Sequence, residues 1–299
     1  MKIILMQSTG SESNPVVTVI IPTLADSARA ASLLRAISSI TNQNEMATEV
    51  LVVVNGQRYD PLLLAELEAR SDIRVVRLLT ASLVAALHKG RTEVRSPFFS
   101  FLDDDDEYLP KSLANRVESL QSNSDCAMVV SQGYREMDGQ RTASAYNLPR
   151  AKVDPYGELA SNNWMTSCGA LFRTNLVPAE TFAKIPSHHE WTYLAYKLLG
   201  MGPFCVLNEP SYVIHDTPNS LSKTSAYSEA HATVLREVLK LSLPPSAIRT
   251  AKERLSRAEH DLASNALAQG LRGKAVSHHL RSLLLPGGLR YVTFTRHLF

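Results

Sequence analysis

The stretch S-P-F-F-S-F-L-D-D-D-D-E-Y-L-P spans residues 96 to 110. Its first half, Phe98-Phe99-Ser100-Phe101-Leu102, reads as a buried strand, and its second, Asp103-Asp104-Asp105-Asp106-Glu107, crowds five acids. Two unit charges ~4 Å apart repel by about 1 kcal/mol in bulk water and by more beside a protein. A strand that ends in such a cluster implies that something at its tip offsets the repulsion. Carboxylates are hard oxygen ligands suited to Mg²⁺ or Mn²⁺. Mg²⁺ takes one or two protein carboxylates and completes its shell with water and substrate phosphate, so the run suggests a metal–phosphate site. The alternative is that Asp106 and Glu107 belong to the N-terminus of a helix starting near Pro110, where negative charge is favoured.

Upstream, the pattern repeats without the acids. Residues 16 to 21 are a β-branched run closed by Pro22, a buried strand of parallel type. A helix is expected over 27 to 43, with Asp26 or Ser27 as N-cap and Leu33, Leu34, Ile37 and Ile40 on its inner face. A second strand covers 49 to 54, and Asp60-Pro61 opens a helix to about Arg70. A third strand covers 73 to 79, and a helix 83 to 95. This alternation predicts an α/β domain with a mainly parallel sheet, which binds ligands at the carboxyl ends of its strands. Pro22-Thr23, Asn55-Gly56 and the acidic run each lie just past such an end.

Further along, a helix is expected from Pro110 to about Ser122, strands over 126 to 132 and 168 to 173, and a helix over 188 to 199. One or two strands fall within 204 to 214, residues 133 to 165 look irregular, and the chain is helical from 226. The 299 residues are 44% hydrophobic and carry a net charge of +2, so no global field points to nucleic acid. Three cysteines without a C-x-x-C fit free thiols in a reducing compartment better than a disulfide framework. No apolar run is long enough for a transmembrane span, so a cytoplasmic protein is expected, with the inner membrane face as a further location.

VTVIIPT (17–23), EVLVVVNG (49–56), SLVAALHKG (82–90) and FSFLDDDDEYLP (99–110), in that order, resemble the family 2 glycosyltransferases, inverting enzymes of GT-A fold. CGALFR (168–173), HEW (189–191) and YVIHDTPNSLS (212–222) are similar to its later segments. The resemblance implies a GT-A, Rossmann-like, mixed and mainly parallel sheet flanked by helices over residues 16 to 225. A nucleotide-binding half would run to about 110 and an acceptor half from 111. A loose tail covers 1 to 15 and a C-terminal helical extension 226 to 299.

The resemblance also implies roles. Pro22 and Thr23 would line the nucleotide pocket. Asn55 stands where the family usually has the Asp that contacts the base. Leu87-His88 replaces a frequent Arg-Asn pair, and His88 alone reads as a surface helix residue. Asp103, with Asp104 beside it, would lie near the ribose and metal, and Asp105 would be the metal ligand. Glu190 would be the general base, in a His189-Glu190 pair where the family has Glu-Asp. Its other reading is a helix cap, since Ser187-His188-His189-Glu190 is an S-x-x-E capping box. His215 matches a position near the metal or diphosphate, and otherwise is a solvated loop histidine beside Asp216. A zinc site on His188 and His189 lacks an accompanying Cys/His set. Trp164 and Trp191 read as core residues or as sugar-stacking rings.

No acid follows Asp261, whereas Arg272, Lys274, Arg281, Arg290 and Arg296 do, among many leucines and aromatics. Such an end either lies on an anionic membrane surface or packs on the catalytic domain with a basic outer face. The expected function is metal-dependent transfer of a sugar, most simply UDP-linked, to a hydroxyl of a glycan or lipid-linked acceptor in surface polysaccharide or glycoconjugate synthesis, with Mn²⁺ or Mg²⁺ as cofactor. The alternatives are a catalytically silent nucleotide- or glycan-binding module of the same fold and a phosphoryl-transfer enzyme. A G-x-x-x-x-G-K-[ST] loop, which would favour phosphoryl transfer, is absent.

Overall fold

A computed structural model describes residues 14–217 and 224–299. Four strands, β1 (Val17–Thr23), β2 (Thr48–Asn55), β3 (Ile73–Leu78) and β4 (Phe98–Phe101), form a parallel sheet in the order β3-β2-β1-β4. The helices α1 (Ala30–Thr41), α2 (Pro61–Ala69) and α3 (Leu83–Glu93) connect them in turn. All seven residues of β1 are buried, as expected of a strand covered on both faces. Its period of two sorts them: Val17, Val19 and Ile21 pack in the layer of α1 and α2, whereas Ile20 packs with Leu51, Val53, Ala86 and Leu87 under α3.

Beyond β4 the sheet becomes mixed. β4 pairs antiparallel with β8 (Ala170–Arg173), which pairs antiparallel with β6 (Met128–Met137). β6 runs parallel to β9 (Phe204–His215), and β9 ends the sheet against the two-residue β5 (Glu107–Tyr108). β7 (Gln140–Ala143) adds a hairpin on β6. The acidic run is therefore bracketed by two strands of one sheet, β4 before it and β5 after it.

Several sequence expectations are corrected. The helix expected from Pro110 is α4 (Ser112–Gln121), entered through Lys111 in the left-handed region, so Asp106 and Glu107 do not lie in its first turn. Residues 133 to 165 hold the end of β6, β7, and two short helices, α5 (Leu148–Val153) and α6 (Pro155–Ser161). Asn147 and Asp154 cap α5 and α6 through their carboxamide and carboxylate oxygens. Residues 204 to 215 are one strand with an irregular register opposite Ser131 to Tyr134. Cys126 and Cys205 form a disulfide joining the β6 and β9 ends, with Cα atoms 6.1 Å apart, instead of standing as free thiols. Cys168 is the free, buried cysteine. Trp164 is fully buried and stacks on Phe204, a core role, while the half-buried Trp191 meets Phe101 edge to face.

The remaining helices are α7 (Glu190–Leu199), α8 (Ser225–Val238), α9 (Pro245–Ala268) and α10 (Arg272–Leu283), followed by a 3-10 segment over Gly288–His297. α8 packs on α7 and α9 on α6, so the C-terminal helices rest on the sheet domain. Among the described residues no helix is long and apolar enough to cross a membrane.

Two outcomes check this architecture. A Cβ at Gly90 would stand 2.4 Å from Ile20 Cγ2 and 3.3 Å from Val53 Cγ2, where α3 rests on the sheet. Gly90→Ala should therefore cost about 1–2 kcal/mol in urea unfolding, overpacking outweighing its better helix propensity. Denatured without reductant, the chain should titrate as one thiol, Cys168, rather than the three cysteines of the sequence.

Candidate active site

Because β1, β2 and β4 are parallel, their carboxyl ends share one sheet edge, and Thr23, Asn55 and the acidic run converge there. Leu102 N–H still donates to Ile20 O at 3.0 Å, and Asp106 N–H closes a turn on Asp103 O at 3.1 Å. That turn fans the four carboxylates toward β1, Arg29, the loop before β8 and the end of β9. Asp103 Oδ2 accepts from Ser167 Oγ at 2.7 Å, ahead of β8. Asp104 accepts from Thr23 Oγ1 at 2.6 Å and Arg29 Nη1 at 2.8 Å. Asp105 Oδ2 accepts from the same Arg29 nitrogen and from Thr217 Oγ1, both at 2.8 Å. Asp106 accepts from the His215 backbone N–H at 3.1 Å and faces the Cys168 thiol at 3.7 Å.

Among the described residues Arg29 is the cation that forms ion pairs with these four acids, reaching Asp104 and Asp105. It does not neutralise them all. Burial pushes the Asp103 carboxyl up to about 7, with Asp105, Asp104 and Glu190 adding repulsion against the Ser167 hydrogen bond. Burial also raises Asp104, opposed by Thr23 and Arg29, and holds Asp106 well above the ordinary range. Among the described residues no three His, Cys, Asp or Glu side chains are gathered as a ready-made metal site. The donor set nevertheless fits a hard divalent cation that brings its own water and phosphate ligands. Among the described residues Asp103 and Asp105 use Oδ2 for their hydrogen bonds, which leaves each Oδ1 open to coordination.

Glu190 opens α7 and is buried, and its charge is close enough to raise Asp103. Its Oε1 accepts the His188 N–H at 2.9 Å. The capping box expected at Ser187 does not form: the N-cap is His189, and it makes no side-chain cap bond. His188 and His189 instead both adopt left-handed backbone, φ 62° and 50°, an uncommon conformation for residues with a Cβ. Burial raises the Glu190 carboxyl, against the backbone N–H bonds of Glu190 and His188. His189 Nε2 donates to Tyr227 O at 2.9 Å, and its ring lies 3.7 Å from the Tyr227 ring and 4.5 Å from that of His231. Burial lowers His189 to about 4, so the imidazole is neutral and carries its proton on Nε2 to make that bond.

The other expected site residues stand as follows. Pro22 and Thr23 end β1, both buried. Asn55 Oδ1 accepts the Ser82 N–H at 2.7 Å at the start of α3. His88 is half-buried on α3. The His215 ring stands between Glu107 and Glu136, at 3.5 and 3.4 Å, and its backbone rather than its ring meets Asp106. Residues 218 to 222 of the quoted YVIHDTPNSLS segment lie outside the described residues. Sequence reasoning missed Arg29, Ser167, Thr217 and Tyr227. No local pattern ties them to the acids or to the Glu190 turn, and only the fold brings them there.

The sequence profile of Glycosyl transferase family 2 matches residues 18–176. The chain belongs to glycosyl transferase family 2. As a glycosyltransferase it carries Asp103 to Asp106 inside the matched segment and Glu190 and His215 beyond it. No curated protein matches the glycosyltransferase sequence. Solved structures similar to it include the 1–349 portion of S. aureus TarS in complex with UDP-GlcNAc, at 14% identity and a TM-score of 0.64, covering 89% of this chain and 81% of that one. The same TarS portion alone gives 15% identity and a TM-score of 0.61, covering 94% and 88%. These likenesses establish a shared GT-A fold.

The acid cluster sets a pH dependence. The Asp103 carboxyl titrates near 3.8 when unfolded and about 7 when folded, so between these values the folded state binds more protons. Stability should therefore fall as pH rises from about 4 to about 7 in metal-free buffer. Asp103→Asn should flatten that slope and melt higher than the parent chain at alkaline pH. Superimposable pH–melting profiles would contradict the assignment.

Proposed function

We propose that the glycosyltransferase transfers a sugar, with inversion, from a UDP-linked donor to a hydroxyl of a glycan or lipid-linked acceptor, with Mn²⁺ or Mg²⁺ as cofactor, in the synthesis of a surface polysaccharide or glycoconjugate. The observation that carries the reading is the convergence of Asp103, Asp105 and buried Glu190 at the carboxyl edge of the parallel strands. Family membership and the fold shared with a TarS structure holding UDP-GlcNAc support the donor class.

In this reading Asp105 and Asp103 would hold the cation, which would supply Lewis-acid neutralisation of the leaving diphosphate. The chain's own residues do the rest. Arg29 and Thr217 orient Asp105, and Ser167 orients Asp103. Asn55 must turn its oxygen toward the Ser82 N–H, which leaves its amide N–H groups to meet a carbonyl of the base; uracil offers two. The acceptor oxygen attacks the anomeric carbon, the bond from that carbon to the diphosphate oxygen breaks with its electron pair, and the hydroxyl proton passes to Glu190. Burial raises the Glu190 carboxyl and strengthens it as a proton acceptor, while the His188 N–H favours the ionised form that a base needs.

Two substitutions separate the roles. Asp105→Ala should abolish the slow Mn²⁺-dependent hydrolysis of UDP-sugar that occurs without acceptor. Glu190→Gln should keep the thermal shift produced by donor with Mn²⁺ and lose transfer by ~10²–10⁴-fold. Transfer at the parental rate in Glu190→Gln would reduce this carboxylate to a turn-stabilising group. Release of inorganic phosphate or pyrophosphate instead of UDP would contradict sugar transfer.

A further inference from the structure

The C-terminal segment presents apolar side chains outward. In the 3-10 segment Gly288–His297, residues three apart lie over one another. One row, Tyr291 and Phe294, turns inward: Tyr291 stacks on His260 at 4.0 Å, and Phe294 meets His260 and His279. The second row puts Leu289 and Val292 into solvent, 78% and 53% exposed. The third carries Arg290 and Arg296, both exposed. α10 has the same character on its outer face, where Leu280 is 54% and Leu284 87% exposed on either side of Arg281. A segment folding for its own sake would turn these leucines in, and Leu298 beside them is buried.

The charges complete the pattern. Arg272, Lys274, Arg281, Arg290 and Arg296 follow Asp261 without one acid, and none of the five forms an ion pair among the described residues. Beside them a cavity of about 350 Å³ opens between α8, α9 and α10, with Arg236, Lys274, His278 and Arg281 on its wall. Exposed leucines next to unpaired arginines suit a medium that is apolar inside and anionic at its surface. Leucine enters the acyl boundary, and arginine snorkels to the phosphates.

We propose that the face formed by α10 and the 3-10 segment docks on an anionic phospholipid bilayer, Leu280, Leu284, Leu289 and Val292 entering it and Arg281, Arg290 and Arg296 meeting its headgroups. The inference does not depend on the donor, the metal or Glu190.

The test is co-sedimentation of the full chain with vesicles of phosphatidylcholine, with and without phosphatidylglycerol. The chain should pellet with the anionic vesicles, stay in solution with the neutral ones, and be released by salt. Arg290→Gln with Arg296→Gln should weaken binding about 30-fold. Leu284→Ser with Leu289→Ser should weaken it at least ~10-fold at unchanged melting temperature and donor hydrolysis. The four residues are exposed, so the variants fold, and either pair suffices if the other fails to. No pelleting with anionic vesicles, or parental binding by both variants, overturns the proposal. So does a dimer in solution that the leucine variant dissociates, because a second copy would then cover this face.

Discussion

Four consecutive carboxylates at the tip of one strand must be separated, solvated by protein and left partly charged, and the contact on which this depends is that of Arg29 with Asp104 and Asp105. A single guanidinium nitrogen donates to two adjacent acids, which lets the turn between β4 and β5 fold with both carboxylates close together. Hydroxyls of Thr23, Ser167 and Thr217 and the His215 backbone N–H take the remaining lone pairs. These partners come from β1, the loop before β8 and the end of β9, so the cluster fastens both halves of the sheet together. The balance is incomplete: burial, with the neighbouring carboxylates, keeps the Asp103 carboxyl raised to about 7, the kind of perturbation that clusters at functional sites.

The four parallel strands were legible because each is a short, continuous β-branched or aromatic run between turn residues, and burial on both faces demands that composition. The helix between β2 and β3 declared itself by its Asp60-Pro61 cap. β5 could not be read, since two residues carry no period and pair with a strand a hundred positions away. The second half of β6 is half exposed and its partner β7 fully so, which removes the hydrophobic signal over 133 to 143. The Cys126–Cys205 pairing depends on β6 and β9 being neighbours, a fact of topology rather than spacing.

The site follows the same division. Asp103, Asp105, Thr23 and Asn55 announce themselves by position at strand ends. Ser187-x-x-Glu190 looked like a helix cap, but the left-handed His188-His189 pair carries the chain past that geometry and delivers Glu190 as the first helical residue. Tyr227, on the first turn of α8, receives the His189 hydrogen bond and packs against its ring. α8 thus holds the turn that carries Glu190, while α10 and the 3-10 segment carry the exposed leucines and arginines.

The proposed cation site is open to a direct structural test. Crystals soaked with MnCl₂ and a UDP-sugar, measured at the manganese absorption edge, locate it without reference to activity. An anomalous peak shared by Asp105, Asp103 and the donor diphosphate, with the sugar's anomeric carbon facing Glu190, is the result expected. A bound donor whose diphosphate lies away from these acids, or manganese elsewhere on the molecule, would contradict it.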